Sequence, residues 1–196
     1  MNGDEQTRRR FLTAAAAAAG MSVGFPDGVF GQTPTPECTD ADQPTPRQTE
    51  GPFYKPRSPL RADLRAPGMK GPGVELAGRV LTRSCKPVPG ALVDLWHCDD
   101  NGDYDARGDR CRGHLFADAG GGFRFRTVRP ALYPGRTRHF HVKVQALRGR
   151  ILTTQLYFPD EPQNARDGLF RRELLMRVAA AGTDYAARFD FVLDIA

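Results

Sequence analysis

Gly120-Gly121-Gly122-Phe123-Arg124-Phe125-Arg126-Thr127 decides the fold. Glycines break the chain, and the residues after them alternate aromatic and polar. Successive side chains of an extended chain face opposite sides, so this period of two marks a half-buried β-strand. Working outward, the pattern recurs. Upstream lie Val74-Glu75-Leu76-Ala77-Gly78-Arg79-Val80-Leu81 and, after the turn signal Pro87-Val88-Pro89-Gly90, the run Ala91-Leu92-Val93-Asp94-Leu95-Trp96-His97. Downstream lie His139-Phe140-His141-Val142-Lys143-Val144, Thr153-Thr154-Gln155-Leu156-Tyr157-Phe158 and Phe189-Asp190-Phe191-Val192-Leu193. Short strands between glycine and proline turns, with no internal repeat, predict an all-β fold: an antiparallel β-sandwich with long loops. One short helix is expected where Leu169, Phe170, Glu173, Leu174 and Val178 fall near a period of 3.6.

The chain has 196 residues, 40% of them hydrophobic and 26% charged, which is enough for one domain with a real core. A net charge of +5, not gathered into Lys/Arg blocks beyond the N-terminus, argues against a nucleic-acid partner. No apolar run reaches the length of about eighteen residues that a permanent membrane span needs.

The N-terminus reads as an address. Thr7-Arg8-Arg9-Arg10-Phe11-Leu12 precedes the stretch Ala14 to Ala19. A basic region followed by a short apolar one without a polar face is an export signal, and the paired arginines resemble the twin-arginine type. The expected organisation is a signal over residues 1–31, a proline-rich arm or linker over 32–48 and the β-sandwich over 49–196. The expected location is periplasmic or extracellular. Export permits disulfides among Cys38, Cys85, Cys98 and Cys111. Three pairings are possible, and Cys98 and Cys111, which flank one short loop, are the easiest to join.

In His139-Phe140-His141 two imidazoles lie at i and i+2 of a predicted strand, so both project from one face while Phe140 enters the other. That geometry lets two histidines hold one metal. The other histidines, His97 and His114, have no partner at ligand spacing and read as hydrogen-bonded structural residues. Two tyrosines sit in nearby glycine-rich loops: Tyr104 in Asp100-Asn101-Gly102-Asp103-Tyr104, and Tyr133 in Leu132-Tyr133-Pro134-Gly135.

Taken in order, Val93-Asp94-Leu95-Trp96-His97-Cys98-Asp99, Gly102-Asp103-Tyr104 and Tyr133-Pro134-Gly135-Arg136-Thr137-Arg138-His139-Phe140-His141 resemble the intradiol ring-cleaving dioxygenases. Thr49-Glu50-Gly51-Pro52-Phe53-Tyr54 and Gln155-Leu156-Tyr157-Phe158 resemble that family's flanking motifs. The resemblance implies one non-haem Fe(III) per chain, held by Tyr104, Tyr133, His139 and His141. Hard Fe(III) favours phenolate oxygen, and free tyrosine, with a pKa near 10, stays ionised only beside a strong Lewis acid. The implied reaction cleaves a catechol-type substrate with O2 between its two hydroxylated carbons to give a muconate-type dicarboxylate. Tyr133 would be the ligand displaced by substrate, Arg136 a fixed cation beside the developing charge, and Gln155 a polar orienting residue. Gly51, Pro52, Phe53, Tyr54 and Trp96 would line the substrate pocket.

The sequence departs from better-known members in a very short Tyr133–His139 loop and in Asp103 and Gly135, changes that open or recharge the pocket. Its length resembles the compact protocatechuate-type subunit, with a homo-oligomer expected. The competing expectation is a non-catalytic prealbumin-like or carbohydrate-binding sandwich, because one scaffold hosts both.

Overall fold

A computed structural model describes residues 43–196. The export signal, most of the arm and Cys38 lie outside the described residues.

Among the described residues, nine strands form two facing sheets. They are β1 (Gly73–Leu81), β2 (Leu92–Trp96), β3 (Arg112–Phe116), β4 (Gly122–Val128), β5 (His139–Gln145), β6 (Leu152–Tyr157), β7 (Arg177–Ala181), β8 (Asp184–Arg188) and β9 (Phe191–Val192). One sheet runs β4-β1-β8-β7, with β9 continuing beside β1; the other runs β3-β2-β5-β6. Pairing is antiparallel except where β1 meets β8 and β9 in parallel. The predicted sandwich is present. The alternation that announced β4 is visible in its burial: Phe123 and Phe125 enter the core while Arg124 and Arg126 stay exposed.

Phe140, Val142 and Val144 of β5 pack with Val93 and Leu95 of β2 and with Leu76, Phe123 and Phe125 of the opposite sheet. This apolar layer, removed from water on both sides, supplies the main driving force of the fold. Gly78 of β1 shows how tightly the chain between β8 and β9 runs against β1. A Cβ there would lie 1.7 Å from the Phe189 carbonyl oxygen, so no side chain fits.

Three expectations are corrected. First, the helix is absent among the described residues: a single 3-10 turn, Arg172–Leu174, leads into β7. Leu174 and Met176 are buried and Val178 is half-buried, so the working period in this stretch is two, not 3.6. Second, Cys98 and Cys111 are free, buried thiols, whereas Cys85 is disulfide-bonded. Burial pushes both free thiols up to about 12, with nearby carboxylates adding to the shift. Third, the expected strand from Phe189 shrinks to Phe191–Val192.

The outer face of the β3-β2-β5-β6 sheet is covered by the chain from residue 43 to 64. Thr45 exchanges hydrogen bonds with Val192, and the Gln48 N–H donates to the Thr153 carbonyl at 2.8 Å. The Thr154 hydroxyl donates to the Pro46 carbonyl, and Arg61 N–H reaches the His114 carbonyl. At the end of this segment Leu64 joins the apolar core, completely buried against Gly113 of β3. This cover explains why polar residues on an outer sheet face are out of water.

Candidate metal centre

The strand register sets the site. On the outer face, Trp96 of β2, His141 of β5 and Gln155 of β6 lie side by side in one row. His139 pairs with Tyr157 in the next such row. Phe140, between the two histidines, is completely buried in the core, as the i, i+2 spacing requires.

Three donor atoms converge. His139 Nε2 and His141 Nε2 are 3.1 Å apart, Tyr104 Oη is 3.1 Å from His141 Nε2, and it is 3.4 Å from His139 Nε2. Metal–donor bonds of about 2 Å place neighbouring donors about 3 Å apart, so the triangle has the span of one ion's coordination edge. His139 Nδ1 donates to the Thr137 carbonyl at 2.7 Å, which turns the Nε2 lone pair toward the other two donors. Burial pulls His139 down to about 4, opposed by the Thr137 bond and reinforced by Arg136. Burial and then the neighbouring His139 pull His141 well below the ordinary histidine value. Both imidazoles are therefore neutral at pH 7, the form that ligates metals. Burial pushes the Tyr104 phenol well up, so in this dry site it ionises only against a strong cation. The residues fit a hard cation. Among the described residues, no group of three His, Cys, Asp or Glu could hold a metal, so a tyrosine is needed to complete this set.

Tyr133 stands beside the triangle, its ring edge-on to Tyr104 at 5.6 Å between centroids. Phe53 stacks flat on Tyr104 at 4.3 Å and meets Tyr133 edge-on at 5.7 Å. Trp96 stacks on His141 at 5.0 Å. Gly51 packs on the same histidine; with φ +72 and a Cβ position only 3.1 Å from His141 Cε1, it admits no larger residue without strain. Pro52 is exposed on the covering segment. Tyr54 leans on Trp96 and lies under the Lys143 ammonium, which also pairs with Glu50.

Arg136 Nη2 donates to Gln155 Oε1 at 2.6 Å, and Gln155 Nε2 donates to the Thr49 carbonyl at 3.0 Å. Gln155 is fully buried and ties the arginine to the covering segment. A cleft of about 400 Å3 opens between Tyr133, Pro134, Gly135 and Arg136 on one side and Gln163, Arg166 and Asp167 on the other. His97, hydrogen-bonded to Cys98 O and to Thr127 Oγ1 at 2.7 Å each, and His114, against Ser58 Oγ at 3.0 Å, are structural as expected.

Asp167 and Thr137 were missed by sequence reasoning. Asp167 accepts from Arg136 Nε, 31 residues away, and from the Thr137 N–H, each at 2.9 Å. Nothing local marks it, because its partners come together only in the folded chain.

With this geometry in view, the likenesses are informative. The chain is 29% identical over 167 residues to the beta chain of protocatechuate 3,4-dioxygenase of Burkholderia cepacia, covering 70% of this chain and 71% of that one. It is 29% identical over 147 residues to hydroxyquinol 1,2-dioxygenase of a Rhizobium species, covering 61% of this chain but spanning only 50% of that enzyme's length. Among solved structures, the dioxygenase domain of a dioxygenase carbohydrate-binding protein fusion from Streptomyces sp. SirexAA-E matches with a TM-score of 0.77 and 51% identity, over 79% of this chain and 100% of that one. A family model described as "Dioxygenase" matches residues 49–195. The chain therefore belongs to the intradiol ring-cleaving dioxygenase family.

Proposed function

We propose that the protein is an Fe(III)-dependent intradiol dioxygenase that cleaves a catechol-type ring between its two hydroxylated carbons. The observation that carries this is the convergence of Tyr104 Oη, His139 Nε2 and His141 Nε2 within 3.1–3.4 Å, with Tyr133 and Arg136 alongside. A ferric ion held there would supply a hard Lewis acid able to chelate both catechol oxygens. Tyr133, alongside, would be the fourth residue to hold the ion, and its phenol oxygen would be the group that takes a catechol proton as the substrate enters. It suits this part because it sits half-buried at the cleft, whereas Tyr104 is sandwiched against Phe53.

Arg136 holds a fixed positive charge next to the ring oxygens, where negative charge grows as O2 adds. Gln155 anchors Arg136 and takes no proton. Phe53, Gly51 and Trp96 exclude water and press the ligands into place. One C–C bond breaks, both atoms of O2 enter the product, and two carboxylates result. Twin-arginine export, a periplasmic or extracellular location and a homo-oligomeric state belong to the same proposal. They are supported by Arg8, Arg9 and the alanine run, and by the likeness to the protocatechuate 3,4-dioxygenase beta chain.

A carbohydrate-binding module would present its aromatic faces to solvent, whereas Phe53, Tyr104, Trp96 and His141 are stacked in pairs on one another. The test is direct. Full-length protein from iron-replete cells should contain iron, be coloured by tyrosinate charge transfer, and convert catechol to a dicarboxylate with uptake of O2. Stoichiometric zinc, or colourless protein that leaves catechol intact, would overturn the proposal.

A further inference from the structure

We propose that Asp167 is the positioning residue of this site, fixing Arg136 and, through Thr137, the orientation of His139; the inference rests on the ring-cleaving function proposed above. Asp167 lies on the loop after a 3-10 turn, Pro162–Ala165, and its side chain is 2% exposed. A carboxylate buried to that degree is retained only when its lone pairs are filled. Here they are filled unevenly. Oδ1 accepts the Leu169 N–H at 2.9 Å, which holds the loop. Oδ2 accepts two donors from adjacent residues, Arg136 Nε and the Thr137 N–H, each at 2.9 Å.

The two donors lead to different parts of the site. Arg136 is gripped at two of its nitrogens, Nε by Asp167 and Nη2 by Gln155. Two such bonds fix the plane of a guanidinium, so its position is set before substrate arrives. On the other branch, holding the Thr137 N–H fixes the peptide whose carbonyl accepts His139 Nδ1–H at 2.7 Å. Thr137 is completely buried, and its hydroxyl donates to Asn164 Oδ1 at 2.6 Å, so the same loop holds it twice. One carboxylate thus ties together a cation and a metal-ligating imidazole that are three residues apart.

Burial pushes the Asp167 carboxyl up, but the Thr137, Leu169 and Arg136 bonds outweigh it and hold the group below the usual carboxylate range. It is a permanent anion at working pH. The part assigned to it is therefore geometric, and it moves no proton.

Two measurements test the inference. In the full-length chain without added metal, the Arg136 Nε–H, assigned by its loss in Arg136→Lys, should give a resolved nitrogen–proton resonance in slow exchange with water. Exchange as fast as in free arginine would overturn the inference, with no variant of Asp167 needed. In the iron-loaded enzyme, Asp167→Asn should keep iron and colour. Its catechol turnover should fall on the order of ten- to a hundredfold with little change in KM. Added to Arg136→Ala, Asp167→Asn should slow turnover much less than it does alone, because its larger effect passes through the arginine. Fully additive losses would mean that Asp167 acts independently of Arg136 and would sink the proposal. A wild-type chain that cleaves no catechol but shows the protected Nε–H would defeat the proposed function and leave the positioning contact standing.

Discussion

Trp96 and His141 lie ring on ring, 5.0 Å between centroids and 8° from parallel. The pairing matters because His141 Nδ1 is buried without a hydrogen-bond partner among the described residues, unlike His139 Nδ1 with its Thr137 carbonyl. His139 is oriented by a hydrogen bond and His141 by a stacked face. Trp96→Leu should therefore lower iron affinity about 10–100-fold, the range typical for groups that orient a ligand. A chelator competition measures it, and wild-type affinity in the variant would refute the assignment.

His139→Ala and His141→Ala should each lose iron and the tyrosinate colour together while remaining folded. Both side chains project from the outer face, so neither truncation opens a cavity in the apolar layer around Phe140. Metal analysis and thermal unfolding of the two variants provide the check. Iron retained in both would show that the ligand set is wrong.

Arg136→Ala should keep iron and colour but slow turnover on the order of a hundredfold or more, because one preorganised charge donor in a shielded site is worth about 3–4 kcal/mol. Catechol affinity should change far less. Mixing O2 with the preformed enzyme–catechol complex isolates the step, and an unchanged decay rate would reduce Arg136 to a structural part.

Stability should fall with acid through His97. Its ring is fully buried and bonded to Cys98 O and Thr127 Oγ1, and burial pulls it down to about 4 against an ordinary 6.5. Above pH 6.5 both folded and unfolded forms are neutral and the stability is intact. As pH falls from 6.5 toward 4 the unfolded chain takes up a proton that the folded chain refuses, so stability drops by up to about 1.4 kcal/mol per pH unit. Denaturant unfolding at pH 7 and pH 5 should show the loss in wild type and a smaller one in His97→Gln. Equal losses would assign the acid sensitivity elsewhere.

If the paired arginines are the proposed address, replacing Arg8 and Arg9 by lysine should leave folded, iron-containing enzyme inside the cell, because both lie outside the matched residues 49–195. Cell fractionation reads the result. Normal secretion of the variant would remove the twin-arginine assignment.

What the sequence made legible follows from how local each signal is. β4 and β5 were readable because a strand with one face in the core writes its own alternation, as in Phe123-Arg124-Phe125 and His139-Phe140-His141. β7 and β8 were not. Arg177-Val178-Ala179-Ala180-Ala181 and Asp184-Tyr185-Ala186-Ala187-Arg188 are rich in alanine, which is depleted in strands, and they form because a two-residue turn with Gly182 at φ +65 folds them onto β1. The H-x-H pair and the two tyrosines pointed to the candidate metal site, since ligand chemistry narrows the residue types. Asp167 stayed hidden because an aspartate in a loop carries no such restriction. Tyr54 was grouped with the pocket on motif alone; its ring lies against Trp96 and under Lys143.

The covering segment has a consequence for the order in which the molecule comes together. Its anchors are remote: Thr49 waits for Gln155, 106 residues later, and Thr45 for Val192, 147 residues later. A ribosome adding about 5–20 residues per second leaves the segment without a docking surface for several seconds. The roof of the site is made first and seated last, so the two histidines form their strand while still open to the surrounding solution.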